Sequence, residues 1–173
     1  PTIAPNGTLN YTLAQDANGI SVVTVRLRDS GGVDNGGVDT SAPVTFTINA
    51  FAVNDPPTLT LPGAQTVDED ATINISGIRV NDVDAGSGNL RVTLNALGPN
   101  GAATGGNLSF SSTSGVTVTG NNSNSVTLTG TLANLNLALA SLAYQGKQDV
   151  NGTDRIVINV NDQGNSPSGP LNV

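Results

Sequence analysis

Apolar and polar residues alternate along most of this chain, and short clusters of Gly, Asn and Asp interrupt the alternation. Period-two patterning bounded by turn residues predicts strands near 9–14, 21–28, 44–53, 72–80, 89–96, 116–119, 125–129 and 154–161. One stretch follows a different period. Within 131–142, Leu132, Leu135, Leu139 and Leu142 return every three or four residues, which predicts a single short helix with Thr131 as its N-cap and a core-capping leucine face. The Gly- and Asn-rich stretches 30–40, 98–106, 120–124 and 163–170 predict surface loops. Many short strands at this spacing predict an all-β chain built as a β-sandwich.

The pattern also repeats. At a spacing of 133 residues and without a gap, Leu9, Tyr11, Gln15, Asp16, Asn18, Gly19, Asp29, Gly31 and Gly36 recur as Leu142, Tyr144, Gln148, Asp149, Asn151, Gly152, Asp162, Gly164 and Gly169. Apolar strand positions correspond as well, Val23 with Ile156, Val25 with Ile158 and Leu27 with Val160. Turn residues and alternation recur together, as expected of a tandem array. With Pro56-Pro57 as the divider, residues 1–57 read as the end of one repeat and 58–173 as most of the next. The counterpart of the strand 44–53 falls beyond residue 173, so the second repeat is expected to lack its last strand and the chain to be a window on a longer array.

Composition narrows the chemistry. The 173 residues include no Cys, His, Met or Trp, and a single Glu and a single Lys. Without His and Cys the usual zinc ligands, a thiol nucleophile and a Ser–His pair are all absent, so an enzyme would have to work with carboxylates alone. Glu69 and its Asp neighbours form the one pairing to consider for glycoside hydrolysis, and adjacent strand residues point to opposite faces, so no enzyme is expected. A net charge of -7 with no basic patch argues against nucleic acid and anionic membrane surfaces. No apolar run approaches the ~20 residues of a membrane helix, so no membrane insertion is expected. Scarce Lys with abundant Thr, Asn and Gly points to an extracellular protein of a bacterial cell surface.

Charge is concentrated. Residues 54–84 hold six acids against the single base Arg79, in the clusters Asn54-Asp55, Asp68-Glu69-Asp70 and Asp82-Val83-Asp84. Crowded carboxylates are held together most cheaply by a hard cation, and Ca²⁺ takes six to eight oxygen ligands. Asp82 and Asp84 are two residues apart, so in an extended segment both project to one face and can reach one ion. Convergence of the linker acids, the 68–70 triplet and the Asp82/Asp84 pair at one pole of the second repeat would place the ion at a junction. Turn formation alone also accounts for Asp and Asn at such positions, since both bond to nearby backbone. Asp29 and Asp162, each closing a strand ahead of a Gly, are open between ligand and turn, whereas Asp16-x-Asn18-Gly19 and Asp149-x-Asn151-Gly152 read as loop turns.

The order Asn-Asp-x-Pro linker, early acid, Asp-x-Asp resembles the calcium pattern of cadherin repeats, and more closely the cadherin-like tandem repeats of very large bacterial surface adhesins. The resemblance continues through Gly130-Thr-Leu-Ala-Asn-Leu-Asn136, Leu142-Ala-Tyr144, Asn151-Gly-Thr153 and Val160-Asn-Asp162. It implies an immunoglobulin/cadherin-like β-sandwich in tandem repeats. It also implies Ca²⁺ ligands at Asn54, Asp55, Glu69, Asp82 and Asp84, with Asp68 and Asp70 as further oxygens. No Asp-Arg-Glu triplet is present and Ala52-Val53 precede Asn54, so the resemblance implies one or two ions per junction in place of an animal-type row of three.

The expectation that follows is a calcium-stiffened structural repeat acting in cell adhesion, with neighbouring repeats of the same protein as partners. Two other functions stay open: a glycan- or protein-binding module using the Gly/Asn loops, and a filament subunit that self-associates by strand addition at an open sheet edge. Tyr11 and Tyr144 share one repeat position and are expected as buried rings with the hydroxyl bonded to backbone. Phe46, Phe51 and Phe110 are expected in the core.

Overall fold

The computed structural model describes residues 1–103 and 105–165; the end of the predicted loop 163–170 lies outside them. The chain divides into two compact units, the first Pro1–Ala52 and the second beginning at Val53, so the division falls ahead of Asn54 and the double proline belongs to the second unit. The architecture is all-β with one short helix.

In the first unit, β1 (Thr2–Ile3) pairs with β2 (Leu9–Asn10), and β3 (Gly19–Val25) pairs antiparallel with β4 (Val44–Ala50). Val23 faces Phe46 and Val25 faces Val44, so the β-branched and aromatic residues share one face of the pair. The long β3–β4 connection is closed by the Arg28–Thr40 bridge and by Arg28 Nε donating to Asp39 Oδ2 at 2.9 Å. No residue of this unit is buried. Phe46 and Phe51, expected in the core, are 41 % and 81 % exposed, and Tyr11 is likewise on the surface. The physical reason is that no second layer of this unit covers the apolar face of β3–β4.

The second unit holds the core. Its strands are β5 (Thr58–Thr60), β6 (Thr72–Asn74), β7 (Arg79–Asn81), β8 (Asn89–Leu97), β9 (Asn107–Phe110), β10 (Val116–Thr119), β11 (Ser125–Thr131), β12 (Leu142–Gln145) and β13 (Arg155–Asn161), with α1 (Leu132–Leu139) between β11 and β12. They form a four-stranded sheet β10-β11-β8-β13, a three-stranded sheet β6-β12-β9 and the pair β5-β7. The single strand expected over 72–80 is two, because Gly77 at φ +89° turns the chain between them and sends β6 and β7 to different sheets.

Alternation sets the core. Leu90, Val92, Leu94 and Ala96 of β8 face inward with Val126 and Leu128 of β11, Leu108 and Phe110 of β9, and Val160 of β13. Each buried Leu or Val contributes about 1.5–3 kcal/mol relative to exposure. Helix α1 closes one end, with Leu135 and Leu139 buried and Thr131 Oγ1 accepting from the Asn134 N–H at 3.5 Å as N-cap. Ala140 is still helical, but the chain leaves the helix at Ser141, whose hydroxyl donates to Ala138 O at 2.8 Å. Leu142 therefore enters the core from β12, not from the helix.

Two turn positions that recur in the sequence share their backbone conformation. Asp16 and its counterpart Asp149 take φ 58° and 56°, and Gly19 and Gly152 take φ 116° and 131°.

Candidate metal centre

The helix fixes the first part of the site. Asn136 on α1 reads the backbone of β7 with both ends of its amide: Val80 N donates to its Oδ1 and its Nδ2 donates to Val80 O, each at 2.9 Å. β7 is thereby clamped two residues ahead of Asp82. Past the strand end the chain folds back on the Asp82 carboxylate, whose Oδ1 accepts from the backbone N–H of Asp84 at 3.1 Å and of Ala85 at 2.9 Å. Val83 points to solvent while Asp82 is buried and Asp84 half-buried.

Two further segments arrive at the same place. The Asp55 backbone N–H donates to Asp84 Oδ2 at 3.0 Å. Asn54 Nδ2 donates to Asp162 Oδ2 at 2.5 Å, and Asp162 Oδ1 accepts from Gly164 N at 3.1 Å just past the end of β13. Asn161 Oδ1 accepts from the backbone N–H of Gln163 at 3.0 Å and from its side-chain amide. Asn54, Asp82, Asn161 and Asp162 are the buried polar residues among those described, and Asp162, at 1 % exposure, is the deepest.

The electrostatics are those of a cluster short of positive charge. Burial first, and then the adjoining Asp84 carboxyl, push the Asp82 pKa above its ordinary 3.8. Asp82 Oδ2 is buried and accepts no hydrogen bond among the described residues, a deficit of the kind that costs about 1–3 kcal/mol. Among the described residues no three Asp or Glu side chains stand close enough together to hold a metal ion by themselves, so any ion here would also draw on amide oxygens. The donors here are hard oxygens, two carboxylates of low exposure and two half-buried ones with an amide between them. That set and the unmet Asp82 oxygen suit a divalent cation that takes oxygen ligands.

The 68–70 triplet is elsewhere. Asp68, Glu69 and Asp70 are exposed, and Asp70, at φ 64°, is tied by its Oδ1 to the Asp149 backbone N–H at 3.1 Å. Asp149 precedes β13, whereas Asp162 follows it. A strand of that length separates the two places by roughly 20 Å. Among the described residues the bonds of Asp70 therefore go to the segment ahead of β13, whereas those of Asp84 and Asp162 go to the entry segment at Asp55 and Asn54.

Asp162, open between turn and ligand in the sequence, forms the turn, accepting from Gly164 N with one oxygen and from Asn54 Nδ2 with the other. A signal for it was present. The tripeptide Val-Asn-Asp occurs three times, as Val53-Asn54-Asp55, Val80-Asn81-Asp82 and Val160-Asn161-Asp162, and the three copies meet at this site. Asp29, the repeat counterpart of Asp162, caps Gly31 in the same way at 2.8 Å on the surface of the first unit.

A second feature lies between β6 and β13, each the end strand of its sheet among the described residues. It is an open groove of about 780 Å³ whose floor includes Ile73, Ile75, Ile78, Ile156 and Ile158. Tyr144 stands at its side, with the hydroxyl donating at 2.5 Å to Asp154 Oδ2, which also accepts from Gly106 N at 2.8 Å. The partner of the Tyr144 hydroxyl is a carboxylate and not the expected backbone group. Burial and that carboxylate push the Tyr144 pKa up to about 12.

No family model, curated protein or solved structure matches the chain. Among the described residues no helix is long and apolar enough to cross a membrane.

Proposed function

We propose that this chain is a calcium-stiffened structural repeat of an extracellular bacterial adhesin or surface fibre, built on an immunoglobulin/cadherin-like sandwich and performing no catalysis. One observation carries the reading: Asn54 and Asp55, the residues by which the chain enters the second unit, are held to Asp162 and Asp84 from two other parts of that unit. An ion shared by Asn54, Asp82, Asp84 and Asp162 neutralises the cluster, satisfies Asp82 Oδ2 and fixes the entry segment. Repeated along an array, such fixed entries turn a flexible string into a rod that carries a distal binding domain away from the cell.

The test is a Ca²⁺ titration that follows the melting temperature. Extracellular calcium modules bind with Kd of about 10⁻⁴–10⁻³ M. Ten millimolar ion then adds roughly 1.5–2.7 kcal/mol, a rise of about 5–10 °C for a unit of this size. An unchanged midpoint at that concentration refutes the reading.

A further inference from the structure

The turn that follows β13 is closed by its own residues and then tied to a second turn. Asp162 Oδ1 accepts from Gly164 N at 3.1 Å, and the Asn165 N–H donates to Asp162 O at 3.3 Å. The Asn165 side chain reaches across to the start of β8, where its Nδ2 donates to Asn89 O at 3.0 Å. Gly88, one residue earlier, lies against that amide, and a Cβ there would overlap the Oδ1 and Cγ of Asn165. Gly88 N donates in turn to Ala85 O at 2.8 Å, so the segment that Asn165 grips is the one that begins at Asp82 and carries Asp84.

The first turn does not need Asn165 in order to form. In the first unit the repeat counterpart of Asn165 is Gly32, and Asp29 Oδ1 still accepts from Gly31 N at 2.8 Å. The Asn165 side chain is therefore spent on the other turn, and Gly88 leaves the room for it. One of the two turns bears Asp162 and the other bears Asp82 and Asp84. Both also meet the entry segment, Asp162 through Asn54 and Asp84 through the Asp55 N–H.

We infer that Asn165, seated in the space that Gly88 leaves, is a positioning residue for the metal centre: by joining the turn of Asp162 to the turn of Asp82 and Asp84, it holds both sets of oxygens toward one cation. The inference rests on the calcium reading above. When the bridge is removed, the ion-free turns relax at little cost, whereas an arriving ion must first draw them together. The worth of that hydrogen bond thus shows in ion affinity and not in the stability of the ion-free chain.

Calcium affinity of the full chain is measured by titration calorimetry for the parent, Gly88→Ala, Asn165→Ala and the double variant, with melting curves of each in chelator. Each single variant is expected to bind about three- to tenfold more weakly. In chelator each is expected to melt within about 2 °C of the parent. Gly88→Ala acts by displacing the Asn165 amide, so the double variant is expected to bind as weakly as either single one and no weaker. Additive losses, or affinities equal to the parent's, overturn the role of Asn165 and leave the calcium reading standing. Loss of stability in chelator with unchanged affinity makes the bridge architectural and overturns that role as well. A parent that binds no calcium removes the reading itself, and this inference with it.

Discussion

Asn54 and Asp162 lie 108 residues apart in sequence, and the amide of one donates to the carboxylate of the other at 2.5 Å in a buried setting. The contact ties the entry of the second unit to the end of its last described strand. Replacing Asp162 with Asn keeps the shape and the Gly164 cap but removes a ligand charge. The Asp162→Asn variant is expected to keep its far-ultraviolet circular dichroism and to lose most of the calcium-dependent rise in melting temperature. Asn54→Ala is expected to lose it as well.

Asp82→Asn should show opposite signs in two buffers. In chelator the substitution removes a buried carboxylate whose ionisation is already disfavoured, and the melting temperature rises. With calcium in excess the same variant is less stable than the parent, because a ligand oxygen charge has gone. Parallel melting curves in the two buffers check this, and the same sign in both contradicts a metal role for Asp82.

The triplet 68–70 supplies the control. Asp68, Glu69 and Asp70 sit at the other end of β13 from Asp162, so replacing all three with Ala is expected to leave the calcium response within 1–2 °C of the parent, a shift of about 0.5 kcal/mol or less. Loss of the response on that substitution would return the ion to that end of the unit.

How far the sequence led is visible in these residues. Thr131 announced the helix start, and β8 and β11 were legible because their alternation is uninterrupted and one face is buried. β9 and β12 were not, since β9 follows directly on the Gly-rich stretch 98–106, and Leu142 falls at helical spacing although the chain has left the helix at Ser141. Asp82 and Asp84 were read as a pair on an extended segment, whereas the chain bends there and the Asp84 N–H donates to Asp82 Oδ1. The 68–70 triplet was drawn in by charge clustering and Glu69 then by resemblance, and neither signal carries the long-range bond that ties Asp70 to Asp149. Burial of Asp162 depends on a partner more than a hundred residues away, which no local pattern specifies.

Asn136 joins the helix to the site. Asn136→Leu leaves the Val80 N–H and C=O without their side-chain partners and is expected to cost about 2–4 kcal/mol, read from a urea midpoint. β7 leads directly to Asp82, so calcium affinity is expected to fall along with stability. Loss of stability with unchanged affinity would show that the clamp is purely architectural.

Alkaline pH probes the groove. The Tyr144 pKa is raised in the folded chain to about 12 from an ordinary 10, so the folded state holds this proton more tightly than the unfolded one. The resulting stabilisation is complete below pH 10 and is lost as pH rises from 10 through 12. Tyr144→Phe, which cannot ionise, is expected to flatten that part of the stability profile while leaving Asp154 with its Gly106 donor. A profile equally steep in both proteins would assign the alkaline loss to other groups.

The chain has two tyrosines and no tryptophan, and Tyr144 is the only one in the second unit. Its ring borders the groove and its hydroxyl rests on a carboxylate, an acceptor that drains the excited state of a phenol. Unfolding parts the hydroxyl from that carboxylate and admits water to the ring. The melting of the second unit therefore writes itself into the ultraviolet emission of the unlabelled protein, and a fluorimeter suffices to follow it.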